Sequence, residues 1–158
     1  MQNSKIKKKI ITLIGPTACN KTSTAVHLIK KFPISIIGVD SVQIYKRFNI
    51  GSAKPPKEIL EKYKHHLVDS ADPENIFSVK DFYDQAYRIV MQAHSNNRIP
   101  LLVGGTMMYF NALFKGINNI PEGNEAIREE LQRELDNRGV DKLFNELKEI
   151  DPESAKTI

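Results

Sequence analysis

The sequence predicts an α/β fold: a parallel sheet with flanking helices, followed by the start of a helical insertion. Three observations carry this. Short apolar runs at Ile10–Ile14, Ile34–Val39 and Leu101–Val103 have the near-continuous character of parallel strands covered on both faces. Segments of helical period stand between them, the clearest from Ser78 to His94. After Pro121 the strand signal stops and short, charged, amphipathic helices take over. The expected division is a core over residues 1–120 and a partial helical insertion over 121–158.

The first strand runs into GPTACNKT, and this turn sets the fold type. The pattern G-x-x-x-x-G-K-[ST] cradles phosphate in P-loop NTPase-like sheets and marks nucleotide- and ATP-binding proteins. It is met at Gly15, Lys21 and Thr22, with Pro16, Thr17, Ala18 and Cys19 between, and Asn20 stands in place of the second glycine. Backbone N–H groups and the helix dipole face the anion. Lys21 offers a full positive charge, and Thr22 offers a hydroxyl to Mg²⁺, the expected cofactor. Asparagine tolerates the left-handed backbone region, so the loop is expected to keep its shape while the side chain takes up space beside the phosphates. A loop of the same shape with weakened phosphate binding is the alternative.

A helix is expected from Lys21 to Lys31, with Ala25, Leu28, Ile29 and Phe32 on one face and Pro33 as its stop. The second strand ends at Asp40-Ser41. Ligands in open α/β sheets gather at the carboxyl ends of strands, where Asp40 is a candidate catalytic carboxylate or a turn cap. Ser41–Pro56 has no helical period and carries Gln43, Tyr45, Lys46, Arg47 and Lys54, a mixture suited to a planar anionic ligand. Lys57–Lys64 reads as a short helix. The pair His65-His66 lacks metal-site spacing, and Asp69 reads as a turn residue, with a magnesium-bound water as the alternative.

Ser78 and Asp81 open the long helix as a capping box, and Val79, Phe82, Tyr83, Ala86, Ile89, Val90 and Ala93 share one face. The third strand enters Gly104-Gly105-Thr106, where Thr106 is an anion or nucleotide contact or simply an N-cap. The next helix carries Tyr109, Phe110 and Leu113 and closes at Gly116. Asn124 caps a helix with Ile127, Leu131 and Leu135, Gly139 ends it, and Leu143, Phe144 and Leu147 mark another. Asp151-Pro152-Glu153 opens a further helix with only six residues after Pro152, which predicts a truncated chain.

Composition adds bounds. A chain of 158 residues, 41% hydrophobic and 27% charged, suits one soluble domain. No apolar run approaches the roughly 20 residues of a membrane span, and the lysine-rich start lacks the apolar stretch of a signal peptide. The lone Cys19 excludes an internal disulfide and fits a cytoplasmic protein, expected to be a monomer. A net charge of +4 permits a polyanionic partner without requiring one. The cluster Lys5, Lys7, Lys8 and Lys9 reads as a solvated arm.

Taken together, GPTACNKT, VDSVQIYKRFNIGSAKP, HHLVD, FSVKDFY, LLVGGTMMYFNAL and DPESAKTI closely resemble the bacterial tRNA dimethylallyltransferases, from Ile10 to Ile158. The resemblance implies tRNA and dimethylallyl diphosphate as partners, with no membrane. It implies that the loop residues Gly15 to Thr22 bind the diphosphate rather than hydrolyse ATP, with Mg²⁺ assisting its departure. By the same resemblance Asp40 accepts the proton from N6 of the adenosine 3′ of the anticodon, and Lys21 and Thr22 stabilise the leaving group. Asp40, Ser41, Val42 and Gln43 match the segment that holds the extruded adenine. Thr106 and Arg128 match tRNA contacts, which makes the insertion a tRNA-binding one.

Three other readings share parts of this pattern. An adenylate isopentenyltransferase would use the same loop and Asp40, but the helices from Asn124 onward favour an RNA stem-loop. A P-loop nucleotide kinase shares the loop, while the Asp-Ser-x-Gln stretch and the Gly-Gly-Thr turn speak against it. A catalytically inactive fragment is the reading that Asn20 and the end at Ile158 suggest.

Overall fold

The computed structural model describes residues 9–117 and 123–158. Lys5, Lys7 and Lys8 of the basic cluster and Pro121 at the expected division lie outside the described residues. The chain divides into two compact units, Met1–Ile117 and Asn118–Ile158.

The first unit holds a parallel sheet of four strands: β1 (Ile11–Ile14), β2 (Ile34–Val39), β3 (His65–His66) and β4 (Ile99–Gly104). Their spatial order is β1-β4-β2-β3. Four helices connect and flank them: α1 (Lys21–Ile29), α2 (Lys57–Lys62), α3 (Val79–Ser95) and α4 (Met107–Lys115). This is the predicted α/β fold. The two central strands alternate between faces with the period of two that a pleated strand imposes. Ile37, Val39 and Leu102 pack with Phe82, Ala86 and Val90 of α3 and Tyr109 and Phe110 of α4. Ile34, Ile36 and Leu101 pack against Ala25 of α1 on the other face. The rings of Phe82 and Tyr109 stack at 4.1 Å and join α3 to α4.

Four expectations need correction. The first strand is not covered on both faces. It lies at an edge of the sheet, with Ile11 43% and Ile14 45% exposed. The layer of α3 and α4 covers β2 and β4 and includes no β1 residue, so apolar character here marks an uncovered edge. The third predicted strand is longer than Leu101–Val103, because β4 also takes in Ile99, Pro100 and Gly104. A proline in a central strand forfeits a ladder bond, but the position is protected. Ile99 N–H donates to Pro33 on the β2 side, so the Pro100 nitrogen turns the other way, where pairing with β1 begins only at Leu101. The helices after the phosphate loop and after Pro56 each stop two residues early, at Ile29 and Lys62. The two histidines, placed in no regular element by sequence, form β3 alongside Ile36 and Ile37.

The caps read from sequence are present at the later helices. The Ser78–Asp81 capping box is complete, and Gly116 after α4 and Gly139 after the helix Glu125–Arg138 sit at positive φ. The second unit contains α5 (Glu125–Arg138), α6 (Val140–Ile150) and α7 (Pro152–Ala155). Asn124 caps α5 through Ala126 N–H, and Asp151 caps α7 through Ser154 N–H with Pro152 in its first turn. Ile127, Leu131 and Val140 stay more than half exposed.

Candidate phosphate and nucleobase cleft

The phosphate loop leaves β1 at Gly15 and enters α1 at Lys21. It turns through two left-handed residues, Ala18 (φ 66°) and Asn20 (φ 61°). Asn20 is the N-cap residue of α1, and its side chain makes no cap bond. The substituted asparagine therefore keeps the glycine-type backbone, as its tolerance of that region predicts. Gly15 lies beneath the exposed Cys19 side chain, which would have to turn aside for any larger residue. A Cβ on Gly15 would stand 2.7 Å from Cys19 Sγ. Lys21 Nζ donates to Gly15 O at 2.7 Å and to Pro16 O, and stands 3.6 Å from Cys19 Sγ. The ammonium is thus folded over its own loop, at the N-terminus of α1.

The ends of β2 and β4 are stitched together beside this loop. Gly105 N–H and Thr106 N–H both donate to Val39 O at 3.2 Å. Gly104 permits the approach, since a Cβ on it would sit 2.0 Å from Val39 O. Thr106 occupies the N-cap position of α4 but makes no cap bond with its side chain. Its Oγ1 instead accepts from Ser41 N–H at 3.1 Å. The N-cap alternative is right in position, and the hydroxyl serves the neighbouring strand end.

Asp40 follows β2. One carboxylate oxygen, Oδ1, accepts from Val42 N–H at 2.9 Å and Gln43 N–H at 3.1 Å, the turn-capping reading. The other oxygen has no hydrogen bond among the described residues. Asp40 also lines a cleft of about 560 Å³ at the carboxyl ends of β1, β2 and β4. Thr17, Ala18, Cys19, Asn20, Lys21 and Thr22 line the same cleft, together with Gln43, Ser52, Ala53 and Gly104. The structure therefore joins the loop, Asp40 and Gln43. Gly15, Pro16, Ser41, Val42 and Thr106 support it from the adjoining turns. Arg128 lies exposed on α5 in the second unit.

Sequence reasoning missed Ser52 and Ala53. Their carbonyls accept from Gln43 Nε2 at 3.1 and 3.0 Å, which makes them the wall facing the loop. Of the cations offered for ligand recognition in Ser41–Pro56, Lys54 is buried against an acid, while Lys46 and Arg47 stay largely exposed in long surface pairs. Lys46 and Arg47 pair with Asp72, Arg47 also with Glu74, and Lys54 with Asp69. Tyr45 points its hydroxyl at Phe77 N–H. The acids at 69, 72 and 74 lie far enough along the chain that composition of the loop alone gives no sign of this pairing. Among the described residues no group of three or more His, Cys, Asp or Glu could hold a metal ion, and no helix is long and apolar enough to cross a membrane.

A parallel sheet whose first strand opens through a lysine-bearing loop onto an acidic second-strand end defines an α/β protein with a candidate phosphate site at its strand ends. Comparison with known proteins narrows this further. The family model for IPP transferase matches residues 43–158. A tRNA dimethylallyltransferase of Dichelobacter nodosus is 43% identical over 94% of this chain and 47% of its own length. One from Vesicomyosocius okutanii is 44% identical over 97% of the chain and 50% of its own length. The crystal structure of a tRNA isopentenylpyrophosphate transferase from Bacillus halodurans matches with TM-score 0.68 and 39% identity, covering 96% of this chain and 50% of that one. A eukaryotic dimethylallyltransferase acting on tRNA matches with TM-score 0.80 and 27% identity, over 96% of this chain and 38% of that one. The chain belongs to the IPP transferase family. It spans about half the length of the curated relatives it matches.

Proposed function

We propose that this chain carries the diphosphate- and adenine-binding part of a tRNA dimethylallyltransferase. The reaction transfers a dimethylallyl group from dimethylallyl diphosphate to N6 of the adenosine 3′ of the anticodon in tRNA and releases diphosphate. The observation that carries the reading is a single cleft lined by both the phosphate loop and Asp40. The names of the relatives point to the same chemistry.

In this reading the N6 lone pair attacks C1 of the prenyl group. The C1–O bond breaks, and its electron pair leaves on the diphosphate. The unpartnered carboxylate oxygen of Asp40 takes the proton from N6, while the two turn N–H groups on the other oxygen hold the carboxylate in place. Lys21 releases its loop carbonyls and places its charge on the diphosphate, where negative charge accumulates. Thr22 brings a hydroxyl to the cleft, a hard oxygen donor of the kind that suits Mg²⁺. When bound there, Mg²⁺ supplies charge neutralisation to the leaving group. Ser41, Val42, Gln43 and Thr106 frame the acceptor base, and Arg128 contacts the tRNA backbone. The setting is the cytoplasm, and the protein acts as a monomer.

Calorimetric titration with dimethylallyl thiodiphosphate and Mg²⁺ tests this. One saturable site is expected. Lys21→Ala should weaken it on the order of a hundredfold, by removing the one full charge the loop directs at the phosphates. A folded chain that fails to bind, or binding indifferent to Lys21→Ala, refutes the reading.

A further inference from the structure

The Lys54 side chain is 3% exposed, although it belongs to a loop at the surface. An ammonium has three N–H donors, and here all three have an acceptor. Nζ donates to Asp69 Oδ1 at 2.6 Å, to Tyr45 O at 2.9 Å and to Asn49 Oδ1 at 3.3 Å. A buried charge is tolerated only when so matched, so Lys54 fixes three points of chain around itself. Backbone bonds extend the clamp. Asp69 N–H donates to Gln43 O, Ser70 N–H to Ile44 O, and Lys46 N–H to Ala71 O.

The clamp stands directly behind one wall of the cleft. Ala53, the residue before Lys54, is held at φ 52°, and Ser52 and Ala53 line the cleft while Lys54 does not. Gln43 Nε2 grips both their carbonyls from the cleft side. Lys54 from behind and Gln43 from in front thus set where this wall stands relative to Asp40. Among the described residues, no hydrogen bond of the phosphate loop reaches this network. Among the described residues the loop's lysine bonds to Gly15, Pro16 and Cys19 alone.

We propose that Lys54, with Asp69, is a positioning residue that presets the Gln43–Ala53 wall to receive the acceptor base, without contributing to the hold on the diphosphate. The proposal rests on the tRNA prenyltransferase reading above. A purely structural role would weaken both ligands together; a positioning role separates them.

The test compares Lys54→Met and Asp69→Asn with the parent chain against two probes, dimethylallyl thiodiphosphate with Mg²⁺ and an anticodon stem-loop RNA. Thiodiphosphate affinity should be unchanged. RNA affinity should fall tenfold to a hundredfold, on the order expected when a binding group is displaced by about 1 Å. Lys54→Arg, which keeps the charge, should recover part of the loss. Amide hydrogen exchange should quicken in Gln43–Lys54 and stay as it was in Gly15–Thr22. Equal weakening of both ligands overturns the proposal, as does unaltered exchange in Gln43–Lys54. If the parent chain binds thiodiphosphate but no RNA, the tRNA reading fails, and the proposal as stated falls with it. RNA binding that the variants leave intact sinks the proposal alone. Should Lys54→Met not fold, Asp69→Asn carries the test, because it keeps the shape and one acceptor at a side chain 39% exposed.

Discussion

The two walls of the cleft are built by opposite means. The phosphate loop is shaped by backbone: two left-handed residues, a glycine under a cysteine, and a helix N-terminus. Its parts lie within eight consecutive residues. The Ser41–Ala53 wall is shaped by side chains that reach 5 to 15 residues along the chain, the Gln43 amide and the Lys54 ammonium. One wall is a local motif that can tolerate a substitution such as Asn20. The other is a network in which each member depends on the rest.

The largest effect is expected where the walls meet. A methyl group at Gly104 would be driven to 2.0 Å from Val39 O, in a backbone pair that neither strand can vacate. Gly104→Ala should cost on the order of 3 kcal/mol and displace both walls at once. Denaturant unfolding measures it, and a midpoint unchanged from the parent would show that the strand ends are less tightly joined than they look.

Gln43→Ala breaks only the second wall. It strips the donor from two carbonyls, a loss of about 1–2 kcal/mol at roughly 1 kcal/mol per bond. Exchange protection around Ser52 and Ala53 should fall and thiodiphosphate binding should hold. Loss of thiodiphosphate binding in this variant would mean the walls are coupled and the comparison is false.

This contrast also explains what the sequence could disclose. The loop, the capping box of α3, the Asp151-Pro152 start of α7 and the glycine stops of α4 and α5 are local patterns, and each was legible. The α/β class followed from apolar runs alternating with helical periods. What lay hidden depended on the third dimension. Nothing in IITLI distinguishes a central strand from the uncovered edge that β1 occupies, since the difference lies in where α3 and α4 pack. Lys54 looked like a ligand-binding cation because its partner Asp69 lies 15 residues away. Asp40 was legible as a candidate, and its second occupation as a turn cap could be raised but not decided.

Asn20→Gly sharpens the comparison from the other side. The backbone already stands at φ 61°, a conformation glycine adopts freely, so the loop should keep its shape. Removing the exposed side chain clears space beside the phosphates, and thiodiphosphate affinity should rise severalfold with RNA affinity unmoved. An unchanged titration would show that Asn20 does not obstruct the site.

The smallest effect is set by pH and should reach the second wall first. His65 lies in β3, four residues before Asp69. Its Nδ1 is 2.6 Å from Tyr63 O, which assigns the proton to Nδ1, and its Nε2 is buried without a partner among the described residues. Burial lowers the His65 pKa, outweighing the opposing bond to Tyr63. Burial also lowers that of His66, aided by the nearby charges of Lys64 and Arg98. The unfolded chain therefore binds protons more readily than the folded one just below the ordinary value of 6.5. Stability should be full above that pH and decline as the pH falls through it toward the folded values. His65→Gln keeps a polar group without titrating and should flatten part of the decline. Hydrogen exchange followed from neutral to mildly acid pH should show Leu67–Ala71 and Gln43–Lys54 loosening while Gly15–Thr22 keeps its protection. Uniform loosening of both would place the proton's effect on the whole sheet rather than on the wall that β3 anchors.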